Sequence, residues 1–283
     1  MSYSTEQSGY AFGLQKLLKG PKNSPVKMKI RDINGNIREI TLSRNSKMEK
    51  GKRFKFRTRN YPPFLEMKEV KPGIIYFNLA TFSTEKVVKE FEKKFNNLNL
   101  EKLKGIIIDV RYNTGGSSNN GYAIISHFID KPLKTSRWKT RKYLPAYRAW
   151  RYKEEWYDGG THGDIEPSTG KHYQGPLVVL IGSNTFSAAE DFLVPLDYSN
   201  RALLVGQKTG GSTGQPLFIF LPGGGSFRVC TKRDTYPDGK EFVGFGISPD
   251  IEVHLTVKDV YQGFDRVLEK GIEVVENWEK YEK

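Results

Sequence analysis

The stretch LVVLIGSNTFSAAEDF, residues 177–192, decides the fold that the chain adopts. Its first five residues form a short apolar run, which is typical of a strand that is buried on both faces of a sheet. A turn that begins with Gly182 follows, and a helix is predicted from Ala188 to Leu196 because apolar residues recur there at helical spacing. A buried strand, a turn and a helix in succession are the repeating unit of an α/β fold.

A second unit of the same kind lies earlier in the chain. The buried strand GIIIDV, residues 105–110, is followed by the turn RYNTGGS and by a helix at residues 122–128. Periodicity predicts further strands at 73–79, 202–205, 217–221 and 227–231, and further helices at 85–95 and 260–278. The sequence therefore predicts an α/β core, residues 72–283, with a mainly parallel sheet.

The N-terminal part of the chain reads differently. A short helix is predicted at residues 12–19, and two strands at 26–33 and 37–42 are joined by Asn34-Gly35, a strong hairpin signal. One helix and two strands bury too little apolar surface to fold alone, so residues 1–45 are interpreted as part of a domain. Residues 46–71 are basic, contain Pro62-Pro63 and are interpreted as a linker.

Composition excludes several classes of protein. A single cysteine rules out an internal disulfide, and no apolar run approaches the roughly 20 residues that span a bilayer. The lone cysteine and four scattered histidines show no zinc-ligand spacing, so neither a metal nor a cofactor is predicted. The net charge of +13 is concentrated in residues 47–59 and 134–142. Such segments bind nucleic acid or form a solvated surface; no nucleic-acid module motif is present, which favours the surface.

The serine at position 187 has two interpretations. With Glu190 three residues later, Ser187 fits a capping box at the start of a helix. It also lies at the carboxyl end of a buried strand, where a nucleophile would have the N–H of Ala188 beside it to hold an oxyanion. The spacing alone fits the cap better, because the G-x-S-x-G pattern of many hydrolases is absent.

Gly115 and Gly116 lie in the turn after the other buried strand. Glycine pairs adopt positive φ and can direct backbone N–H groups toward a phosphate or an oxyanion, although many such pairs are only tight turns. Taken alone, this turn leaves both interpretations open.

Taken together, the two turns resemble those of the tail-specific, or C-terminal-processing, serine peptidase family, which includes the catalytic core of the tricorn protease. The matching motifs occur in family order: KLLKGPKNSPVKMKIRD from residue 16, GIIYFNLATF from 73, LKGIIIDVRYNTGG from 103, GPLVVLIGSNTFSAAEDF from 175, VGQKTGG from 205 and GFGISPDIEV from 244. The first resembles the end of a PDZ domain, and the fourth carries Ser187 in the place of the nucleophile.

The resemblance implies a Clp-protease/crotonase-like core that hydrolyses peptide bonds near protein C-termini through an acyl-enzyme on Ser187. It implies an oxyanion hole formed by the N–H groups of Ala188 and of Gly115 or Gly116. The PDZ-like part would bind the substrate's C-terminus or gate the site. The partner is then a peptide or protein, and the bacterial cell envelope or periplasm is the implied location.

The general base does not follow the family pattern. The bacterial processing branch uses a lysine about 25 residues after the serine, but position 212 here is serine, and Lys208 is the nearest candidate. The tricorn-like branch uses a histidine from a domain that precedes the PDZ domain; of the four histidines here, only His127 is expected near the site. That branch also has a glutamate that corresponds to position 243, which is valine here. The expectation is that the base lies upstream of Met1 and that the chain is weakly active or inactive by itself.

Three alternatives share parts of this pattern. A non-catalytic binding protein would keep the fold without the chemistry. A crotonase-type acyl-CoA enzyme would use the same paired N–H groups, but the PDZ-like part and the SAAE segment argue against it. The basic charge leaves a nucleic-acid-binding protein as the third alternative.

Overall fold

A computed structural model describes residues 4–44 and 64–282 of the chain. The strands are β1 (Pro25–Arg31), β2 (Ile37–Ser43), β3 (Leu65–Lys71), β4 (Ile74–Leu79), β5 (Gly105–Asp109), β6 (Leu133–Lys134), β7 (Arg137–Lys142), β8 (Glu155–Thr161), β9 (Asp164–Ile165), β10 (Leu177–Ile181), β11 (Leu203–Gly206), β12 (Leu217–Phe220), β13 (Ser226–Val229), β14 (Lys232–Thr235) and β15 (Ile251–Glu252). The α-helices are α1 (Glu6–Lys16), α2 (Lys86–Asn96), α3 (Ser118–Ile125), α4 (Pro145–Ala149), α5 (Ala188–Tyr198), α6 (Val257–Gln262), α7 (Arg266–Glu276) and α8 (Trp278–Tyr281).

A six-stranded sheet in the order β15-β11-β10-β5-β4-β3 forms the centre of the core. All its pairs are parallel except β3 with β4, so the predicted α/β core with a mainly parallel sheet is confirmed. Every residue of β4, β5 and β10 is buried, as their continuous apolar sequences predict. The sheet is covered on both faces.

Apolar clusters on the two faces of the sheet hold the layers together. One cluster joins the sheet to α2, α3 and α5 and contains seven fully buried phenylalanine rings: Phe77, Phe82, Phe91, Phe95, Phe128, Phe192 and Phe242. The other cluster joins the sheet to α7, whose Val267, Ile272 and Val275 are buried against it. Burial of this apolar area is the main term that favours folding.

Smaller sheets flank the core. β7 pairs with β8 and β14 in a three-stranded antiparallel sheet, and β12 pairs with β13 in a separate hairpin. The sequence predicted no strand between residues 129 and 176. The reason is that β7 and β8 are half-buried at most, so their basic and aromatic residues show no alternation between polar and apolar positions.

Three predicted boundaries are wrong. Residues 65–71, interpreted as linker, form β3, which pairs with β4. The strand was not predicted because its solvent-facing residues are charged. The predicted helix at 260–278 is three helices, because Gly263 in the left-handed conformation (φ 66°) ends α6 and Asp265 caps α7. The predicted helix at 12–19 begins at Glu6, where Thr5 caps it, and ends at Lys16. Residues 46–63 of the linker prediction lie outside the described residues.

The N-terminal hairpin agrees with its prediction, since β1 and β2 pair antiparallel around Asn34-Gly35. The assignment of α1, β1 and β2 to a PDZ-like domain stays a prediction. Among the helices in residues 4–44 and 64–282, none has the length and apolar character that crossing a bilayer requires.

Candidate active site

Two turns meet at the carboxyl ends of β5 and β10. Asp109 and Leu180 are partners in the parallel ladder, so the segments that follow them leave the sheet side by side. The N–H of Phe186 donates to the carbonyl oxygen of Asn113 over 3.1 Å, and the hydroxyl of Thr185 donates to the carbonyl oxygen of Val110 over 2.9 Å. The two turns predicted to carry the chemistry are therefore held together directly.

Ser187 is half-buried at the start of α5. Its backbone has φ 55° and ψ −128°, whereas an ordinary helix N-cap is extended. A non-glycine residue at positive φ is uncommon and is held in place by its surroundings. The neighbouring turn supplies that support at close range: a Cβ at Gly115 would lie 2.7 Å from the Cβ of Ser187, so only glycine fits there.

The two glycines differ in whether the backbone N–H is hydrogen-bonded. The N–H of Gly115 donates to Asn113 Oδ1 over 2.9 Å, and Gly115 is buried, so the structure does not offer this N–H to an oxyanion. Gly116 is exposed, and within residues 4–44 and 64–282 its N–H makes no hydrogen bond. The N–H of Ala188, in the first turn of α5, likewise has no acceptor in the described part of the chain. Of the two predicted glycines, Gly116 is the one whose N–H is available.

The carboxylate of Glu190 connects the serine turn to the segment 209–212. Glu190 is completely buried and accepts hydrogen bonds from the Thr209 hydroxyl (2.5 Å) and from the N–H groups of Gly211 (2.7 Å), Ser212 (2.8 Å) and Ser187 (3.3 Å). The carbonyl oxygen of Ser212 in turn accepts from the N–H of Ser187 at 2.9 Å. Burial raises the pKa of Glu190 to about 7, an effect that these donors oppose without cancelling.

Neither candidate base forms a hydrogen bond with Ser187 in the part of the chain that the structure describes. Lys208 is exposed, whereas a lysine that acts as a base must be desolvated to lose its proton near neutral pH, so its exposure argues against this candidate, which stays a prediction. His127 is buried between Phe91 and Phe95, with Nδ1 3.2 Å from the carbonyl oxygen of Lys171. His127 is thus a core residue of the α2–α3 layer, and these contacts argue against a role as the base. No described side chain forms a hydrogen bond with the hydroxyl of Ser187 in the structure.

A buried polar network lies beside the first turns of α3 and α5. Asp191 accepts from the hydroxyls of Ser118 (2.7 Å) and Ser136 (3.2 Å). Burial, followed by the charge of Asp234, raises the pKa of Asp191. Asp234 is itself buried and forms an ion pair with Lys232 at 2.9 Å.

The rest of this network surrounds Asp234. Burial acts to raise the pKa of Asp234, but His162, Lys232 and the hydroxyl of Thr213 outweigh it and lower that pKa. His162 Nε2 lies 3.7 Å from Asp234 Oδ1 and 3.0 Å from Lys232 Nζ. Asp191 thus ties α5 to Ser136, which precedes β7, and Asp234 ties β14 to His162, which follows β8.

Asp109, the last residue of the buried strand β5, belongs to a structural ion-pair network. Its carboxylate accepts from Tyr76 Oη (2.6 Å) and forms an ion pair with Arg111 (2.8 Å). Arg111 also binds Asp265 at the start of α7 through two bonds of 2.7 Å. Although burial opposes the charged form, these carboxylates raise the pKa of Arg111.

Sequence reasoning missed most residues that support the serine. The pattern S-x-x-E indicated the contact between Ser187 and Glu190, but nothing indicated that Thr209, Gly211 or Ser212 would bind the same carboxylate. Asn113, Asp191 and Asp234 gave no signal either, since each acts through partners remote in sequence.

The model of Peptidase family S41 matches residues 73–253, more than half of the chain. The chain belongs to peptidase family S41. The resemblance and the serine peptidase class expected from the sequence are thereby confirmed at the level of the family.

Several relatives are C-terminal-processing proteases. The carboxy-terminal-processing protease of Bartonella bacilliformis is 26% identical over 252 residues, which are 89% of this chain and 52% of that protein. The chloroplastic C-terminal processing peptidase of Tetradesmus obliquus is 27% identical over 199 residues, 70% of this chain and 39% of that protein. The S41 chain spans about half the length of these relatives or less.

Solved structures support the fold. Mature CPAF complexed with lactacystin matches 95% of this chain and 71% of its own, with a TM-score of 0.71 and 18% identity. The photosystem II D1 C-terminal processing protease matches 88% of this chain and 61% of its own, with a TM-score of 0.52 and 21% identity. At these identities the likeness extends to the fold alone.

Proposed function

We propose that this S41 chain is the catalytic core of a serine peptidase that cleaves peptide bonds near protein C-termini through an acyl-enzyme on Ser187. The observation that carries the proposal is the strained turn at Ser187, with the N–H groups of Ala188 and Gly116 unpaired among the described residues. Strain of this kind costs of order 1–3 kcal/mol and persists at functional sites. A purely structural cap needs no such backbone.

In the proposed reaction the hydroxyl oxygen of Ser187 attacks the scissile carbonyl carbon and its proton passes to a base. The carbonyl oxygen becomes an oxyanion that the N–H groups of Ala188 and Gly116 stabilise, aided by the dipole of α5. Expulsion of the amine leaves an ester on Ser187, and water then hydrolyses the ester. Glu190 and Asn113 hold the two turns at the required separation.

The base is proposed to come from outside the described residues. Two observations disfavour the bases within the described chain: Lys208 is exposed, and His127 is enclosed by Phe91 and Phe95. The resemblance to the tricorn-like branch favours a histidine from a further domain, and it also favours a bacterial cell-envelope location for the whole protein. The C-terminal-processing relatives favour a protein or peptide substrate.

A fluorophosphonate probe tests the nucleophile. We expect slow covalent labelling of the chain, lost in Ser187→Ala and retained in Ser183→Ala, a serine of the same turn. Absence of labelling at every pH would instead favour a non-catalytic binding protein on the same fold.

Added imidazole tests the missing base. Loss of a general base costs at least about 100-fold in rate, so millimolar imidazole should accelerate the labelling of Ser187 severalfold. Joining the chain to the neighbouring domains of its full-length protein should raise peptidase activity by about 100-fold or more. A chain that is already fully active, with no response to imidazole, would show that its own residues supply the base.

A further inference from the structure

The hairpin arm, residues 137–161, begins and ends beside the buried carboxylates of Asp191 and Asp234. It consists of β7, α4 and β8, with cross-strand pairing from Arg137 and Thr161 at its base to Lys142 and Glu155 near its end. Six residues of antiparallel strand extend about 20 Å, so the tip is well separated from the base. The base itself is anchored, because Ser136 binds Asp191 and His162 faces Asp234.

Aromatic side chains cover the tip of the arm and face solvent. Tyr143 is 70% exposed, Trp150 63% and Tyr152 57%. Tyr147 contacts two of these rings, with its ring centroid 6.0 Å from that of Trp150 and 5.3 Å from that of Tyr152, and Tyr143 lines the same cavity as Tyr147 and Tyr152. Exposed aromatic rings that contact one another form a contiguous surface patch, and such a patch marks an interaction site. We call these four residues the aromatic tip.

Basic side chains surround the aromatic tip. The arm carries seven basic and three acidic residues. Arg141 and Arg148 share Glu154 as an ion-pair partner, whereas Arg151 and Lys153 form no ion pair with any residue that the structure describes. The patch therefore complements a negatively charged surface.

The cavity at the tip is small. Lined by Arg141, Tyr143, Tyr147 and Tyr152, it measures about 120 Å³, whereas small-molecule sites typically enclose about 300–1,000 Å³. An exposed surface that is both basic and aromatic suits an extended anionic partner. Tyrosine and tryptophan combine an apolar ring with a polar atom and concentrate at the boundary between lipid headgroups and acyl chains.

We propose that the hairpin arm docks this S41 core on anionic phospholipid bilayers. The aromatic tip enters the headgroup boundary, and Arg151 and Lys153 bind lipid phosphates. The length of the arm separates its docked tip from its base by about 20 Å. The proposal is independent of the peptidase reaction and uses the arm alone.

Vesicle co-sedimentation tests the proposal. The chain should bind vesicles of phosphatidylcholine with about 30% phosphatidylglycerol and bind pure phosphatidylcholine vesicles at least about 25-fold more weakly, because anionic lipid attracts each basic residue about 5-fold. The same attraction predicts that Arg151→Gln with Lys153→Gln lowers the affinity about 25-fold. The matched control, Lys89→Gln with Lys93→Gln on the exposed face of α2, should bind as the unaltered chain does.

The aromatic contribution needs its own pair of variants. Trp150→Ala with Tyr152→Ala should lower vesicle affinity at least about 10-fold, because two large rings no longer leave water. Phe218→Ala with Phe220→Ala, in the exposed β12–β13 hairpin, is the matched control and should have little effect. Trp150 fluorescence should shift to shorter wavelength with anionic vesicles, and the shift should be absent in Trp150→Phe.

Two results would overturn the proposal. Equal binding to both vesicle compositions would remove the anionic headgroup as the ligand. Binding to duplex DNA or soluble polyglutamate as tight as binding to anionic vesicles, with Trp150→Ala and Tyr152→Ala unaffected, would show a general polyanion surface. Circular dichroism of each variant confirms that the fold is intact before the affinities are compared.

Discussion

Four hydrogen-bond donors converge on the carboxylate of Glu190, yet burial still raises its pKa to about 7. A raised pKa means that the folded protein holds the proton more tightly than the unfolded chain, whose value is near 4.5. This residue therefore stabilises the fold fully below pH 4.5, and its contribution is lost as the pH rises through 7. The shift corresponds to about 3 kcal/mol.

We expect the free energy of unfolding to fall between pH 5 and pH 8, with Glu190 supplying a part that Glu190→Gln removes. Urea unfolding at both pH values measures this difference in the free energy of unfolding. Glutamine does not titrate, so it removes the pH dependence at this site, although it cannot accept from four donors and will lower stability overall. The control Glu90→Gln, on the exposed face of α2, should keep the pH dependence of the unaltered chain. An identical pH dependence in Glu190→Gln would contradict the assignment.

Arg111 gives a second expectation at the scale of single residues. Removing it leaves the fully buried carboxylate of Asp109 with only Tyr76 and the N–H of residue 111 as donors. Breaking a buried ion pair in this way costs about 3–5 kcal/mol. Arg111→Ala should lower the free energy of urea unfolding by that amount. Arg233→Ala, which breaks an exposed pair with Glu241, should cost less than about 1 kcal/mol. Equal costs for the two would argue against burial as the cause.

Among the elements, α7 approaches β5 so closely that the contact depends on glycine. A Cβ at Gly105 would lie 2.3 Å from Cγ1 of Val275, which is closer than two nonbonded carbon atoms approach each other in proteins. The helix must move if that glycine gains a side chain. The position of α7 also fixes Asp265, which holds Arg111 in the turn after β5.

We expect Gly105→Ala to destabilise the chain by about 1–3 kcal/mol through overpacking. Val275→Ala alone should also destabilise, because it removes buried methyl groups. In the double variant the smaller helix residue leaves room for the new methyl group, so the cost should be less than the sum of the two single costs. A double-mutant cycle by urea unfolding measures this coupling, and strict additivity would refute the proposed contact.

At the scale of the whole molecule, the N-terminal helix contacts the segment that supports the serine. The hydroxyl of Thr5 donates to the carbonyl oxygen of Gly210 (3.1 Å), and the Gln7 side chain donates to those of Thr209 (2.9 Å) and Phe245 (3.0 Å). The segment 209–212 binds Glu190 and Ser187 in turn. Contacts about 200 residues apart in sequence thus connect the start of α1 to the turn at Ser187.

Gln7→Ala should slow fluorophosphonate labelling of Ser187 about 2- to 10-fold, because the 209–212 segment loses its hydrogen bond from Gln7 to Thr209. This expectation rests on the proposed function. Tyr10→Ala is the control, since Tyr10 lies on the same helix and is 71% exposed. The rate should respond while the melting temperature changes little. An unchanged rate would mean that α1 docks without influencing the site.

The sequence by itself determined the parallel core and the place of the serine. Short apolar runs at 105–110 and 177–181 are typical of strands covered on both faces. The resemblance implied that the turns after these strands share one oxyanion hole, and Ser187, Ala188 and the glycine pair were predicted from local pattern and resemblance.

The hydrogen bonding and burial of the groups around that serine could be read only from the tertiary structure. Whether Gly115 or Gly116 has a free N–H depends on the side chain of Asn113, and whether Lys208 is desolvated depends on what packs over it. The boundary at β3, the arm at 137–161 and the four donors to Glu190 likewise arise from pairing between remote segments. Local periodicity carries no information about such pairs, because burial and hydrogen bonding are properties of the assembled chain.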